Sequence, residues 1–223
     1  MGRLTIRGTS VDLPHFTDEA DLNQISSLGS AGNSVYGFDF GDASVRALEL
    51  RDASLQYGTI HSIRAESASL TGNQVRSVEF TGCELNSLHW ARGKVTRTRF
   101  NACKLLGAQF KDVALEHVVF ADCEMDYAVF NQVRTSGPVL FTHCSLREAD
   151  FTACNLTGAL FEECDLFQTN FGRGRYVRCD LRGNDLSMAK GVHHLERAVL
   201  YRFQLMQLAQ ALATELDVTF GDD

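Results

Sequence analysis

The chain has 223 residues, 44% of them hydrophobic, with a formal net charge of −7 at pH 7. That is room for one domain with a continuous core, in the composition range of a soluble globular protein, and no run of about 18 apolar residues is present to cross a bilayer. Seven cysteines is an odd number and no Cys-x-x-Cys occurs, so neither a disulfide framework nor a zinc knuckle is indicated.

Residues 1–32 form an N-terminal segment without a repeat. Its start lacks the basic, apolar and small-residue regions of a secretory signal, and Ile6 stands where myristoylation wants Ser or Thr. A cytoplasmic protein is the expectation. Leu4, Ile6, Val11 and Leu13 predict a short capping strand, followed by a polar loop.

From residue 33 to 191 the sequence has a period of five. Large apolar residues recur at Val35, Phe40, Val45, Leu50, Leu55 and Ile60 and so on to Phe130, with only Ala65 small. After a slip of one residue the series resumes at Phe141 and runs through Phe151, Phe161, Phe171 and Leu181 to Leu186. Period five is neither a helix face at 3.6 nor a strand at 2, so the chain must turn once per repeat and each repeat is one side of a coil. Two residues before the centres is where small side chains gather, Ala53, Gly58, Ala68, Ala108, Ala128, Ala149 and all seven cysteines among them, although Phe38, Leu48 and Ile63 sit there in the looser stretch from 33 to 78. A free thiol is a small hydrophobe, so the cysteines are expected as core filler beside stacked Phe and Leu. Proline cannot donate to a ladder; Pro14 precedes the repeats, and Pro138 lies at the slip near 135–141, where a bulge is expected.

The motifs Ala149-Asp150-Phe151, Cys154-Asn155-Leu156, Cys164-Asp165-Leu166 and Cys179-Asp180-Leu181 resemble the signature of the pentapeptide-repeat family. The resemblance implies an all-β solenoid, a right-handed quadrilateral β-helix with four repeats per coil, so that residues 20 apart stack. The columns agree: Phe40, Ile60, Phe80, Phe100, Phe120, Phe141, Phe161 and Leu181 form one, and Cys83, Cys103, Cys123, Cys144 and Cys164 form a ladder. About eight coils at about 4.8 Å each make a rod of about 38 Å.

On that four-sided frame the charges divide unevenly. One face carries Asp39, Asp42, Glu79, Asp122, Glu162, Glu163 and Asp180 against Arg99 and Arg182. The next carries Glu66, Glu84, Glu124, Asp126, Glu148, Asp165 and Asp185 against Arg46, Arg64, Lys104 and Arg147. The fourth is basic, with Arg76, Lys94, Arg97, Arg134, Arg175 and Arg178 against Glu116.

Residues 192–223 form a C-terminal cap. Leu205, Leu208, Ala209, Leu212 and Leu216 predict an amphipathic helix over 202–215, with Leu205, Leu208 and Leu212 toward the last coil, and 217–220 reads as a short strand. Phe203, Met206, Ala213 and Phe220 exceed what one coil end can cover and are expected at a dimer interface. The tail looks like the helix and strand through which quinolone-resistance members of the family dimerise tail to tail.

No catalytic constellation emerges. The histidines His15, His61, His89, His117, His143, His193 and His194 have no partners at metal spacing, the thiols are expected to be buried, and no phosphate loop or nucleophile elbow is present. The chain is therefore read as non-enzymatic, without cofactor or metal. For the topoisomerase-protecting branch the resemblance implies DNA mimicry: the carboxylates compete for a phosphate-binding surface of DNA gyrase or topoisomerase IV and shield it from poisons such as fluoroquinolones. On this reading the partner-binding residues are Asp39, Asp42, Glu79, Glu84, Asp122, Glu124, Asp126, Glu162, Glu163, Asp165 and Asp180, and no direct nucleic-acid binding is expected. The alternative is a scaffolding module that holds another protein, with outward Phe167 as its anchor.

Overall fold

The computed structural model describes residues 2–16, 22–29, 34–219 and 221. Its strands are β1 (Arg3–Ile6), β2 (Thr9–Asp12), β3 (Asn23–Gln24), β4 (Ser34–Gly41), β5 (Ser44–Arg51), β6 (Ser54–His61), β7 (Arg64–Thr71) and β8 (Gln74–Thr81). They continue as β9 (His89–Ala91), β10 (Lys94–Asn101), β11 (Gln109–Lys111), β12 (Ala114–Ala121), β13 (Val129–Asn131), β14 (Arg134–Thr135), β15 (Val139–Thr142) and β16 (Leu160–Glu162). Helix α1 spans Leu205–Glu215.

The coils pair in parallel with residues 20 apart in register: Ile60 on Phe80, Phe80 on Phe100, Phe100 on Phe120. A left-handed residue marks most corners two places after a repeat centre, as at Ser77, Gly82, Ser87, Arg92, Arg97 and Ala102 (φ between 50° and 60°). Most of these corners are not glycine; ladder bonds on both sides hold a conformation that an isolated residue rarely adopts. Named strands account for about six turns, fewer than the eight expected, because the last turns pair only through isolated bridges such as Leu160 to Asp180 and Asp180 to Val199.

The slip is where the period placed it. Leu115 still faces Thr135, but Val118 faces Val139, so one extra residue is accommodated between Thr135 and Val139. The long strand seen in other coils is there split into β14 and β15.

The core is two columns of aromatic rings. Phe80, Phe100, Phe120, Phe141 and Phe161 stack with centroids 4.6–5.0 Å apart, and Phe110, Phe130 and Phe151 stack at 4.6–4.9 Å. The columns meet edge to face, as Phe110 meets Phe120 at 6.2 Å, the arrangement aromatic quadrupoles favour. All seven cysteines are buried and free. Each ladder thiol also donates to a carbonyl of the coil below, Cys83 to Ile60 at 3.3 Å and Cys144 to Phe120 at 3.4 Å, so the thiols supply donors as well as filling space.

The N-terminal segment does two separate things. Ile25 and Leu28 join the core at the first coil, where β3 pairs with β4. The hairpin β1–β2 instead lies against the side of the rod: Val11 is buried among Val119, Ala121, Leu140 and Leu160, with Leu4, Ile6 and Leu13 around them. These four rod residues point outward, and the sequence marks them by a lapse of alternation in Val118-Val119-Phe120-Ala121, Val139-Leu140-Phe141 and Ala159-Leu160-Phe161.

At the other end the inward face is mixed, not the apolar stripe expected: Leu208 faces the coil as expected, but Gln207 and Glu215 of α1 and Gln204 of the turn before it face inward too. Gln204 is fully buried and its amide donates to the carbonyls of Leu181 (3.0 Å) and Asn184 (2.9 Å). Gln207 accepts from the Leu186 amide, and Glu215 accepts from the Val192 amide and bonds His193. The last coil leaves backbone groups that no further coil can pair, and these side chains satisfy them. Leu208 and Ala211 pack beside them, while Leu205 and Leu212, expected to face the coil, are exposed. Helix α1 is preceded by a 3₁₀ turn, Arg202–Gln204. The strand expected at 217–220 does not form among its described residues: Val218 closes the helix by donating to the Ala213 carbonyl, and Phe220 lies outside the described residues.

Candidate functional site

The expected acidic surface divides into open and occupied carboxylates. Asp42, Asp122 and Glu163 lie on one corner column, with 81%, 61% and 71% of their side-chain surface exposed. Between the last two sits His143, 3.1 Å from Glu163 and 3.9 Å from Asp122. Glu124, on the adjoining face, is also exposed. Parallel stacking makes each of these a neighbour of the equivalent corner one coil away, so the edge presents carboxylates at multiples of the coil spacing.

The other expected contacts are engaged within the fold. Glu84 is held by Arg64 (2.7 Å) and Lys104 (3.3 Å), Asp165 by Arg147 (2.8 Å), and Glu79 by Arg99 (3.6 Å). Asp39 meets His61 at 3.1 Å and accepts from Thr59 at 2.5 Å. Asp126 accepts from the Arg147 amide and the Ser145 hydroxyl. Glu162 and Asp180 lie under the N-terminal hairpin, where Arg7 reaches both. Burial by itself would raise the Asp180 carboxyl, but hydrogen bonds from Arg182 and the charges of Arg182 and Arg7 hold it below its ordinary value. For Glu84, the hydrogen bonds from Arg64 and Lys104 likewise hold the carboxyl low.

The ion pairs between coils follow from charge alternation along a column: Arg64, Glu84 and Lys104 occupy successive levels. Counting charges per face missed this, although the spacing of 20 was legible. Phe167 is half-buried under the Arg147 guanidinium, 4.5 Å from its ring centre, and so is not the free anchor expected. The exposed apolar residues on that part of the rod are instead Leu106 and Tyr127.

At the C-terminal end, Phe203 and Met206 are 66% and 75% exposed and Ala213 is half-buried. Leu205, Leu212 and Leu216 share the outward side, and Met206, Ala209, Ala213 and Val218 line a groove of about 570 Å³.

Burial pushes the Cys154 thiol up to about 12, and it also raises Cys179. Among the described residues no group of three side chains is arranged to hold a metal ion, and no helix is long and apolar enough to cross a membrane.

Residues 93–171 match the family model described as the pentapeptide repeat region. No curated protein sequence matches the chain. Among solved structures the chain is similar to QnrB1 after trypsin treatment, a plasmid-mediated fluoroquinolone resistance protein, at 16% identity over 88% of this chain and 100% of that one, with a TM-score of 0.45. It is also similar to HetL, a pentapeptide repeat protein involved in heterocyst differentiation regulation from the cyanobacterium Nostoc, at 18% identity over 80% of this chain and 86% of that one, TM-score 0.42. The corners five residues apart, the register of 20 and the match over 93–171 give this stretch of the chain the character of a pentapeptide repeat region.

Proposed function

We propose that the protein is a non-enzymatic binding rod, dimeric through its C-terminal ends, whose open carboxylates engage a partner surface that otherwise takes nucleic-acid phosphates. The observation that carries this reading is the corner column of Asp42, Asp122 and Glu163, with Glu124 beside it: exposed carboxylates at whole multiples of the coil spacing along the ladder. Preorganised charge of one sign competes with a phosphate backbone without paying to order flexible side-chain supports. The resemblance of the repeat to the topoisomerase-protecting branch supports taking DNA gyrase or topoisomerase IV, in the cytoplasm, as the partner of this proposal, with protection from poisons such as fluoroquinolones as the outcome.

The dimer rests on the outward side of α1. That side is largely apolar and carries no charge from Leu205 to Thr214, with Gln210, Thr214 and Asp217 also lining its groove, so a two-fold contact buries mostly apolar surface. Joining two rods there doubles the length over which the carboxylate edge runs.

The test is a supercoiling assay with and without a topoisomerase poison, comparing the protein with a variant carrying Asp122→Lys and Glu163→Lys. The expectation is protection or inhibition by the native protein and its loss in the variant. No effect of the native protein at micromolar concentration would overturn the reading, and recovery of a different protein partner from extract, with gyrase absent, would favour a scaffolding module.

A further inference from the structure

The fourth face holds a recess unlike the rest of this acidic protein. Strands β8, β10 and β12 set Gln74 beside Lys94 and Arg76 beside Thr96, with Glu116 next to Thr96 on the third level. Arg97 occupies the left-handed corner between Ser77 and His117. Together they line a cleft of about 290 Å³. Its one carboxylate is already neutralised, because Lys94 Nζ lies 2.9 Å from Glu116. Arg97 is half-buried and close enough to help hold the Glu116 and Asp12 carboxyls low, yet among the described residues neither Arg97 nor Arg76 forms an ion pair with a carboxylate. Two guanidinium groups are thus concentrated in one cleft of a chain whose net charge is −7.

Guanidinium groups present planar forks that match the oxygens of a phosphate, and Lys94, the Gln74 amide and the Thr96 hydroxyl add donors around the same space. A cleft of this size has room for an anionic head group. We propose that this cleft is a phosphate-binding site in which Arg76 and Arg97 clasp the oxyanion and Lys94, balanced by Glu116, closes one side. The ligand chemistry is a phosphate or diphosphate group, presented either on a small molecule or by a nucleic-acid backbone. The site is on a different face from the carboxylate edge and stands independently of the partner proposed for that edge.

Titration calorimetry of the full-length protein at low salt, with inorganic pyrophosphate in one arm and a short duplex DNA in the other, tests this. Pyrophosphate is expected to bind, at least about tenfold more weakly to the Arg76→Gln, Arg97→Gln double variant, as loss of charge-assisted hydrogen bonds implies. Glu116→Gln is expected to bind more tightly, an outcome that a folding defect cannot imitate, and melting without ligand checks the double variant. Binding of the duplex alone, weakened in the double variant, would support the site with the backbone as its source. No binding in either arm, or binding that both sets of substitutions leave unchanged, would overturn it.

Discussion

The Arg7 guanidinium lies 2.8 Å from the Glu162 carboxylate, tying the N-terminal hairpin to a coil far along the rod. Arg7 also donates to the Arg182 carbonyl, and the Asp12 amide donates to His117 Nδ1 at 3.0 Å, so the hairpin is fastened at both ends around buried Val11. Val11→Asp places an unpaired carboxylate among Val119, Ala121, Leu140 and Leu160, at a cost the hairpin's own contacts cannot offset. The expected outcome is a hairpin open to limited proteolysis, increased binding of a hydrophobic dye and unchanged circular dichroism from the coils. A hairpin still protected in this variant would refute the docking.

Acid should loosen the same attachment. The folded-state value of Asp180 lies below its ordinary 3.8, so its contribution is fully present above that value and is lost as pH falls through the depressed one. Asp12, held low first by its hydrogen bond from Arg3, behaves in the same sense. Hydrogen exchange of the hairpin amides should therefore be flat near neutrality and accelerate, relative to intrinsic rates, below about pH 4. Asp180→Asn should flatten that acid dependence.

Phe120 has no exposed surface, stacks 4.8 Å from Phe100 and 5.0 Å from Phe141, and meets the edge of Phe110. Ladder bonds on both sides prevent the coil from collapsing into a vacated site. Phe120→Ala should cost about 3–5 kcal/mol in denaturant unfolding, whereas exposed Gln109→Ala changes little.

Buried Asn73 occupies a small-residue position, where its side chain accepts from the Ala53 amide at 2.8 Å and donates to the Leu50 carbonyl at 3.1 Å. Removing it orphans two buried backbone groups, so Asn73→Ala should cost about 2–4 kcal/mol. Cys83→Ala, which removes one sulfur from the small-residue position two repeats on, on the opposite side of the coil, should cost about 1 kcal/mol. Equal losses would show that the amide's bonds do not matter.

Met206→Glu puts a charge on the outward side of α1 without touching Gln204, Gln207 or Glu215, which hold the helix to the last coil. The native protein should scatter light as a dimer at tens of micromolar and the variant as a monomer with unchanged melting of the coils. A native monomer would remove the dimer and shorten the carboxylate edge to a single rod.

The sequence alone determined the repeating part of this molecule: the turn at every fifth residue, the register of 20, the Phe120 and cysteine columns and the extra residue near Pro138. These follow from side-chain size repeated over neighbouring coils, a signal that each coil confirms for the next. Open carboxylates at Asp122 and Glu163 were legible in the same way, but the pairing of Asp165 and Glu162 was not, because it depends on which cation reaches across a coil or from another segment. Only the tertiary structure decided the ends. Helix α1 could be read from its apolar spacing, yet its orientation came from the unpaired backbone of the last coil, which draws Gln204 and Glu215 inward and leaves Met206 in solvent. The hairpin likewise docks on the side of the rod because Val119, Leu140 and Leu160 are brought together there by stacking and have no other cover. Periodicity reports what a coil does to its neighbours; where the repetition stops, unsatisfied hydrogen bonds and exposed apolar surface choose the partner.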